Sequence, residues 1–327
     1  MNLGFWAKLK KPIMVLAPMA DVTDAAFRRV IAKYGKPDVM WTEFVSADGL
    51  VLAPKEGREK LLRDLQFSET ERPIVAQFFT ARPEMMKKAA ELASELGFDG
   101  IDINMGCPDR SIEKQGAGAA LINTPELAAA IIAAAKEGTE AAGARLNRPP
   151  LPVSVKTRIG YNKNEIETWL PALLKTEPAV ITVHARTRKE MSKVAAHWEV
   201  VRRAVEIRNG MNSQTLIFGN GDVSDIEEAR AKARASSADG IMLGRAIFGN
   251  PWLFSETQPA LPEKLKVLVE HTYLFEQLLG DIKSFAIMKK HYKAYAQGFG
   301  GAKELRMELM EAKNAREAER TINTFLA

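Results

Sequence analysis

Eight short runs rich in apolar and β-branched residues recur along the first 245 positions of the chain. They are IMVLA (13 to 17), DVMWTEF (38 to 44), PIVAQFF (73 to 79), DGIDIN (99 to 104), VSVKTR (153 to 158), AVITVHA (179 to 185), LIFGNG (216 to 221) and GIMLGR (240 to 245). Most are apolar at consecutive rather than alternate positions, the pattern of a strand buried on both faces. Most are separated by helical stretches such as PEMMKKAAELASELG, PELAAAIIAAAKEG and DIEEARAKARA. Eight strand-helix units in a row predict an α/β fold, a (β/α)8 TIM barrel, with a doubly wound open sheet as the structural alternative.

The rhythm stops at GNPWLFSETQPALPEK, where Pro251, Pro259 and Pro262 break regular structure. Beyond it Leu265, Leu268, Val269, Tyr273 and Leu278, then Phe285, Met288, Tyr292, Tyr295 and Phe299, recur at helical spacing. The expected organisation is a barrel over 1–254, a linker over 255–262 and an all-helical C-terminal domain of three or four helices over 263–327. Hydrophobic residues make up 46% and charged residues 27%, and no apolar run approaches the ~18 residues of a membrane span. The N-terminus reads as mature sequence rather than as a secretory leader, because Pro18 interrupts its short apolar run.

Cys107 is the only cysteine, which rules out an intrachain disulfide and a thiolate cluster and suits a reducing, cytoplasmic setting. With four histidines and no HxH or HExxH pairing, no metal ligand set assembles. Basic residues number 46 against 41 acidic, a net charge of +5 that permits an anionic partner without demanding one.

In such a barrel the functional residues stand where each apolar run ends at its C-terminal side. Those ends carry Ala17-Pro18-Met19, Glu43, Gln77, Asn104 with Cys107, Lys156 with Arg158, His184 with Arg186, Asn220-Gly221-Asp222 and Gly244-Arg245. The last two follow runs seven and eight, where barrels commonly hold phosphate on backbone amides and a helix N-terminus. Lys156 suits a Schiff base, a counter-charge to an anionic ring, or a structural ion pair. His184 suits an acid, a metal ligand, or a donor to a ring carbonyl. Free cysteines are most often packing residues, but Cys107 sits between Gly106 and Pro108 on a loop kept free of bulk by QGAGAAL, which makes it a functional candidate.

Taken together, APMADVTDAAFR (17 to 28), INMGCPDRSIEKQGAGAAL (103 to 121), VKTRIG (155 to 160), TVHARTR (182 to 188), GNGDV (219 to 223) and GRAIFGNPWLF (244 to 254) resemble the flavin-dependent tRNA-dihydrouridine synthase family, in family order across the barrel. MKKHYKAYAQGFGGAKELR (288 to 306) is similar to part of the family's helical RNA-binding bundle. The resemblance implies FMN across the barrel mouth, with Pro18, Met19 and Ala20 along one side of its ring, Gln77 and Lys156 at its polar edge, and His184 near the ring or phosphate. Asn220, Gly221, Asp222, Gly244 and Arg245 would hold the phosphate. Lys156 then becomes the counter-charge to the reduced ring, with no Schiff base needed.

The implied reaction adds a hydride from the flavin to uracil C6 and a proton from Cys107 to C5, with NADPH as reductant and NADH as the alternative. A thiol pKa of about 8.5 keeps the proton available near neutrality. Asn104, Arg158 and Arg186 are assigned to the substrate, together with Lys289, Lys290, Lys293 and Arg306 of the tail. Lys283 and Lys303 add to that basic stretch, and His291, Tyr292 and Tyr295 lie among the lysines as expected stacking partners for bases. tRNA is the implied partner of a monomeric, cytoplasmic enzyme. The rival readings are an FMN-dependent reductase of a small pyrimidine, a catalytically inactive RNA-binding barrel and, more distantly, an aldolase using Lys156. The chain departs from the family at Ala185, where glycine is common, at Lys289, where arginine is common, and in KEGTEAAGARLNRPPLP, which is longer than expected before the fifth run.

Overall fold

A computed structural model describes residues 1–327. Eight strands form: β1 Ile13–Leu16, β2 Met40–Ser46, β3 Ile74–Phe79, β4 Gly100–Met105, β5 Val153–Arg158, β6 Val180–His184, β7 Leu216–Asn220 and β8 Gly240–Leu243. All pair in parallel in the order β1-β8-β7-β6-β5-β4-β3-β2. A bridge from Val15 to Val39, with Leu16 donating to the Val39 carbonyl at 3.3 Å, closes the ring between β1 and the approach to β2. Closure leaves no free edge, so the open-sheet alternative is excluded. β2 starts two residues later than its apolar run, and between Trp41 and Phe44 it advances three residues against two on β3. That bulge re-aims the end of the strand.

The interior is layered. Toward the N-terminal end it is apolar, with Ile13, Val15, Val75, Phe218 and Met242 packed around Trp41. The 3₁₀ turn Gly4–Lys8 plugs this end with Trp6, whose ring lies 5.7 Å from Trp41 and 5.6 Å from Phe218. Polar residues take over toward the other end: Gln77, two residues beyond Val75 on β3, then Asp102 and Asn104 on β4 and Ser154 and Lys156 on β5. The change from apolar to polar marks the functional end of the barrel.

The longer stretch before β5 is helix as far as Leu146, and residues 147–152 are the loop into the strand. Pro125–Leu146 runs unbroken and packs against Pro83–Glu95 so closely that a side-chain carbon on Gly138 would come 2.3 Å from the Lys87 carbonyl. Asn147 ends it in the left-handed conformation, φ 52°, which asparagine tolerates.

Four helices follow the barrel: Leu261–Leu279, Met288–Tyr295, Ala302–Glu311 and Ala315–Leu326. The first begins two residues before the expected boundary, because Pro262 occupies its first turn, where a missing N–H costs nothing. The tail does not stand apart. Leu268, Phe275, Met288 and Tyr292 belong to the same continuous core as Phe27 and Val30 of the helix Ala25–Tyr34, and the His271 ring stacks on Phe27 at 4.7 Å.

Two expectations for the tail fail here. His291, Tyr292 and Tyr295 are fully buried, so they pack rather than stack on bases. Met288, Tyr292 and Tyr295 fall at i, i+4 and i+7, the inward face of their helix. Lys283 is withdrawn as well, since its ammonium lies 2.7 Å from Glu43 and 3.0 Å from Asp64.

Candidate active site

A cavity of about 650 Å³ opens at the C-terminal ends of β1, β5, β6, β7 and β8. Ala17, Pro18 and Met19 form one wall; Lys156, His184, Arg186 and Ser192 form the next; Asn220 to Ser224 and Met242 to Ala246 complete it, apart from Leu243. Its size is that of a small-molecule or cofactor site. Ala20 does not line it. The Met19 carbonyl accepts from Val22 and Thr23, which turns the chain away and leaves Ala20 exposed. Ser192, Val223, Ser224 and Ala246 were not legible as site residues, being small side chains in loops without periodicity.

Two glycines shape the wall. Gly221 has φ 127°, and a side-chain carbon there would lie 2.9 Å from Ala196 and 3.3 Å from His184. Gly244 is different, because its missing side chain leaves space bounded by Ala17 and Met19 at 3.7 Å. One glycine permits the fold of the loop and the other keeps the cavity wide.

Charge is concentrated here. Asp222 accepts from Arg245 at 2.6 Å, from the Ala196 amide at 3.0 Å and from Arg186. Its carboxylate therefore holds two guanidinium groups in place instead of offering itself to an anion. Arg186 also donates to the Val194 carbonyl at 2.7 Å and is buried in the cavity wall. Its Nη1 lies 3.3 Å from His184 Nε2. A guanidinium has no acceptor, so that nitrogen is bare and the imidazole carries its proton on Nδ1. Burial, with the charges of Lys156, Arg158, Arg186 and Arg245, holds the His184 pKa well below its usual value. It is a neutral donor, not an acid.

Lys156 makes no hydrogen bond or ion pair within the chain. Burial, and then Arg158, push its pKa down to about 8, with Asp102 opposing. An ammonium in this setting is a receptor for negative charge.

Cys107, on the loop leaving β4, is not among the residues that line the cavity, but it stands close enough to the wall residue Lys156 for their charges to interact. The Asn104 side-chain oxygen accepts from the Gly106 amide at 3.1 Å and the Cys107 amide at 2.9 Å. Downstream, Ala119 donates to the Cys107 carbonyl at 2.9 Å, and Gly118, at φ 62°, passes so close that a side-chain carbon would lie 2.7 Å from that carbonyl. This is the physical reason for the small residues of QGAGAAL. The thiol is partly buried, and desolvation pushes its pKa up, which keeps it protonated at neutral pH.

Three expected ligand contacts are spent inside the protein. Gln77 donates to Asp102 and accepts from Asn104, so it lies behind the cavity rather than along it. Asn104 divides its amide between Gln77 and the Cys107 turn. Arg158 donates to the carbonyls of Gly106, Thr187 and Met191, tying the β4 loop to the β6 loop, with one Nη left over. In the tail, Lys290 reaches to 3.6 Å from Asp21, two residues beyond Met19 at the cavity rim. Lys289 is half-buried, Lys293 is exposed, and Arg306 braces the Ala296 carbonyl at 3.3 Å. No group of three or more His, Cys, Asp and Glu side chains is placed to hold a metal ion. No helix is long and apolar enough to cross a membrane.

The family model "Dihydrouridine synthase (Dus)" matches residues 15–327. The chain belongs to the dihydrouridine synthase family. A probable tRNA-dihydrouridine synthase of Staphylococcus aureus (strain MRSA252) is 39% identical over 332 aligned positions, covering 100% of this chain and 97% of that protein. Probable tRNA-dihydrouridine synthase 2 of Bacillus subtilis (strain 168) is 39% identical, covering 99% and 97%. Among solved structures, morphinone reductase superposes with a TM-score of 0.53 at 13% identity over 78% of this chain and 87% of that one. Histamine dehydrogenase from Rhizobium sp. 4-9 gives 0.55 at 12% identity over 84% and 50%. At such identities these two speak for the barrel fold alone.

With the family come FMN-dependent oxidoreduction and tRNA-dihydrouridine synthesis. The residues present fit the cofactor: a partnerless ammonium, a neutral imidazole donor, two braced guanidinium groups and the open space at Gly244 share one cavity. Because Lys156 loses its charge as pH rises through about 8, FMN titrated into the apoprotein is expected to bind more weakly above that pH. Fluorescence quenching between pH 7 and 9.5 measures it. Lys156→Met is expected to bind weakly throughout and to lose the pH dependence.

Proposed function

We propose that this chain reduces the C5=C6 bond of chosen uridines in tRNA, with NADPH as the electron source and Cys107 as the proton donor to C5. The observation that carries the reading is a thiol kept protonated by burial and facing the charges of Lys156 and Arg158, on a turn held by Asn104 on one side and by Arg158, through Gly106, on the other. When bound, FMN supplies the hydride for C6.

The protein's own part is positional and electrostatic. Lys156 offsets negative charge at the ring, His184 offers its Nδ1 proton to a carbonyl, and Arg245 with the Gly221 and Gly244 backbone holds the phosphate, while Asn220 spends its side-chain amide on the Met242 carbonyl at 2.8 Å. As C5 gains electron density it takes the Cys107 proton. The thiolate left behind is favoured by the charges of Lys156 and Arg158 until solvent returns a proton.

A uridine in folded RNA reaches this depth only by leaving its stack. Lys290 at the rim, with Lys289 and Lys293 on the outer face of the same helix, supplies phosphate attraction of the salt-sensitive kind. Arg306 supports that helix. The enzyme works as a cytoplasmic monomer in this reading, and NADH is the alternative donor.

Purified protein loaded with FMN and given NADPH and tRNA lacking dihydrouridine is expected to form the modified base, read by mass spectrometry of nucleosides. A colourless protein with no affinity for FMN overturns the reading. Faster turnover of free uracil than of tRNA supports the small-pyrimidine rival instead.

A further inference from the structure

Beneath the cavity lies a carboxylate that the proposed reaction does not use. Asp102 is fully buried on β4, level with Gln77 on β3 and Ser154 on β5. Both its oxygens are engaged, one by the Ser154 hydroxyl at 2.6 Å and the other by Gln77 Nε2 at 2.6 Å. Gln77 Oε1 in turn accepts from Asn104 Nδ2 at 3.1 Å, and Asn104 Oδ1 accepts from the Gly106 and Cys107 amides. The chain of bonds thus runs from the barrel interior to the backbone of the thiol-bearing turn.

We propose that Asp102 is a positioning residue for Cys107, acting by fixing the direction of the Gln77 and Asn104 side-chain amides. The proposal rests on the reading of Cys107 as proton donor. An ionised carboxylate only accepts hydrogen bonds, so Gln77 must turn its nitrogen toward Asp102 and its oxygen toward Asn104. Asn104 must then turn its nitrogen to Gln77 and its oxygen to the loop. At the far end two backbone N–H groups can be met only by an acceptor. Were either amide reversed, donor would face donor or acceptor would face acceptor at a buried site, a cost of roughly 1–3 kcal/mol, or about 5- to 150-fold in a population. Burial pushes the Asp102 pKa up to about 6, against the two hydrogen bonds and the Lys156 charge, which leaves it mainly ionised at neutral pH.

A polarity chain has a signature that simple packing lacks, because the carboxylate can be moved to its other end. Asn104→Asp places an acceptor against Gln77 Oε1. Asp102→Asn together with Asn104→Asp lets Gln77 reverse, so that Asn at 102 donates to Gln77, Gln77 donates to Asp at 104, and the turn keeps its acceptor. Net charge is unchanged in the double variant.

The readout is alkylation of the FMN-loaded protein by iodoacetamide, which reports one site because Cys107 is the only thiol. Asn104→Asp is expected to change the alkylation rate about tenfold and to lower kcat more than it raises KM for tRNA, consistent with one unsatisfied buried contact. The double variant is expected to return the alkylation rate to within about threefold of the parent. A double variant whose rate equals the product of the two single effects overturns the proposal. If a single variant does not fold, recovery of a native melting transition in the double is the same rescue, and a double that stays unfolded overturns it. Rescue of alkylation alongside full turnover by Cys107→Ala leaves the relay standing and removes the proton-donor reading, so the two fail separately.

Discussion

Cys107→Ala is expected to lower tRNA reduction by about 10²- to 10⁴-fold, the usual contribution of a positioned proton donor, while FMN binding and its reduction by NADPH stay close to the parent. The loop explains why the effect is confined. What holds the turn is backbone: the Cys107 amide on Asn104, its carbonyl on Ala119 and the neighbouring Gly106 carbonyl on Arg158. Alanine keeps all three. The thiol adds its proton, kept in place by burial against the opposing hydrogen bond from the Asp109 backbone. Single-turnover oxidation of the reduced flavin by tRNA, compared with the NADPH half-reaction in the same preparation, separates the two steps. Equal loss in both, or loss of bound flavin, would make Cys107 a packing residue.

Arg28→Met is expected to destabilise the fold by about 3–5 kcal/mol, the range for breaking a buried ion pair from one side. Arg28 and Glu71 are both fully buried and meet at 2.7 Å. The guanidinium also donates to the carbonyls of Thr23 at 2.8 Å and Gln66 at 2.6 Å. One side chain thus joins the loop after β1, its own helix and the segment before β3. Methionine fills much of the volume but leaves the buried Glu71 carboxyl with only Ser68 and, at 3.9 Å, Arg29 on its other oxygen. Arg28→Lys should restore little, since one ammonium cannot span three acceptors in a plane. Urea unfolding followed by tryptophan fluorescence measures the shift in midpoint. Arg28→Met combined with Glu71→Leu is expected to recover part of the loss, because no charge is then stranded.

The barrel was legible because strands buried on both faces leave uninterrupted apolar runs, and all eight of those runs overlap observed strands. β2 starts late because Asp38 and Val39 bond to Met14 and Leu16 of β1 ahead of the ladder to β3, which begins at Met40, a difference of pairing that composition does not carry. The site was legible in outline because residues ending strands must face the mouth. What could not be read was how polar groups spend their bonds. Gln77 and Asn104 stand at strand ends like true ligand contacts, yet they bond each other, and nothing local separates the two cases. Lys283 looked like its basic neighbours, but its partners Glu43 and Asp64 lie more than 200 positions away in the chain. The burial of Tyr292 and Tyr295 did carry a signal in the i, i+4, i+7 spacing from Met288, which marked the helix, while the lysines among them drew the same two rings into the base-stacking reading.

Lys283 has a wider consequence. Glu43, which it grips, also accepts from the Asp21 amide at 2.5 Å, just past the wall formed by Pro18 and Met19. The tail therefore buttresses the very loop that faces the cavity. Exchanging tails between relatives to redirect which RNA is served would not be like changing the head of a tool. A transplanted bundle would need to bring its own lysine for Glu43 and Asp64, and a histidine ring to fit Phe27, or the barrel would lose its footing along with its old partner.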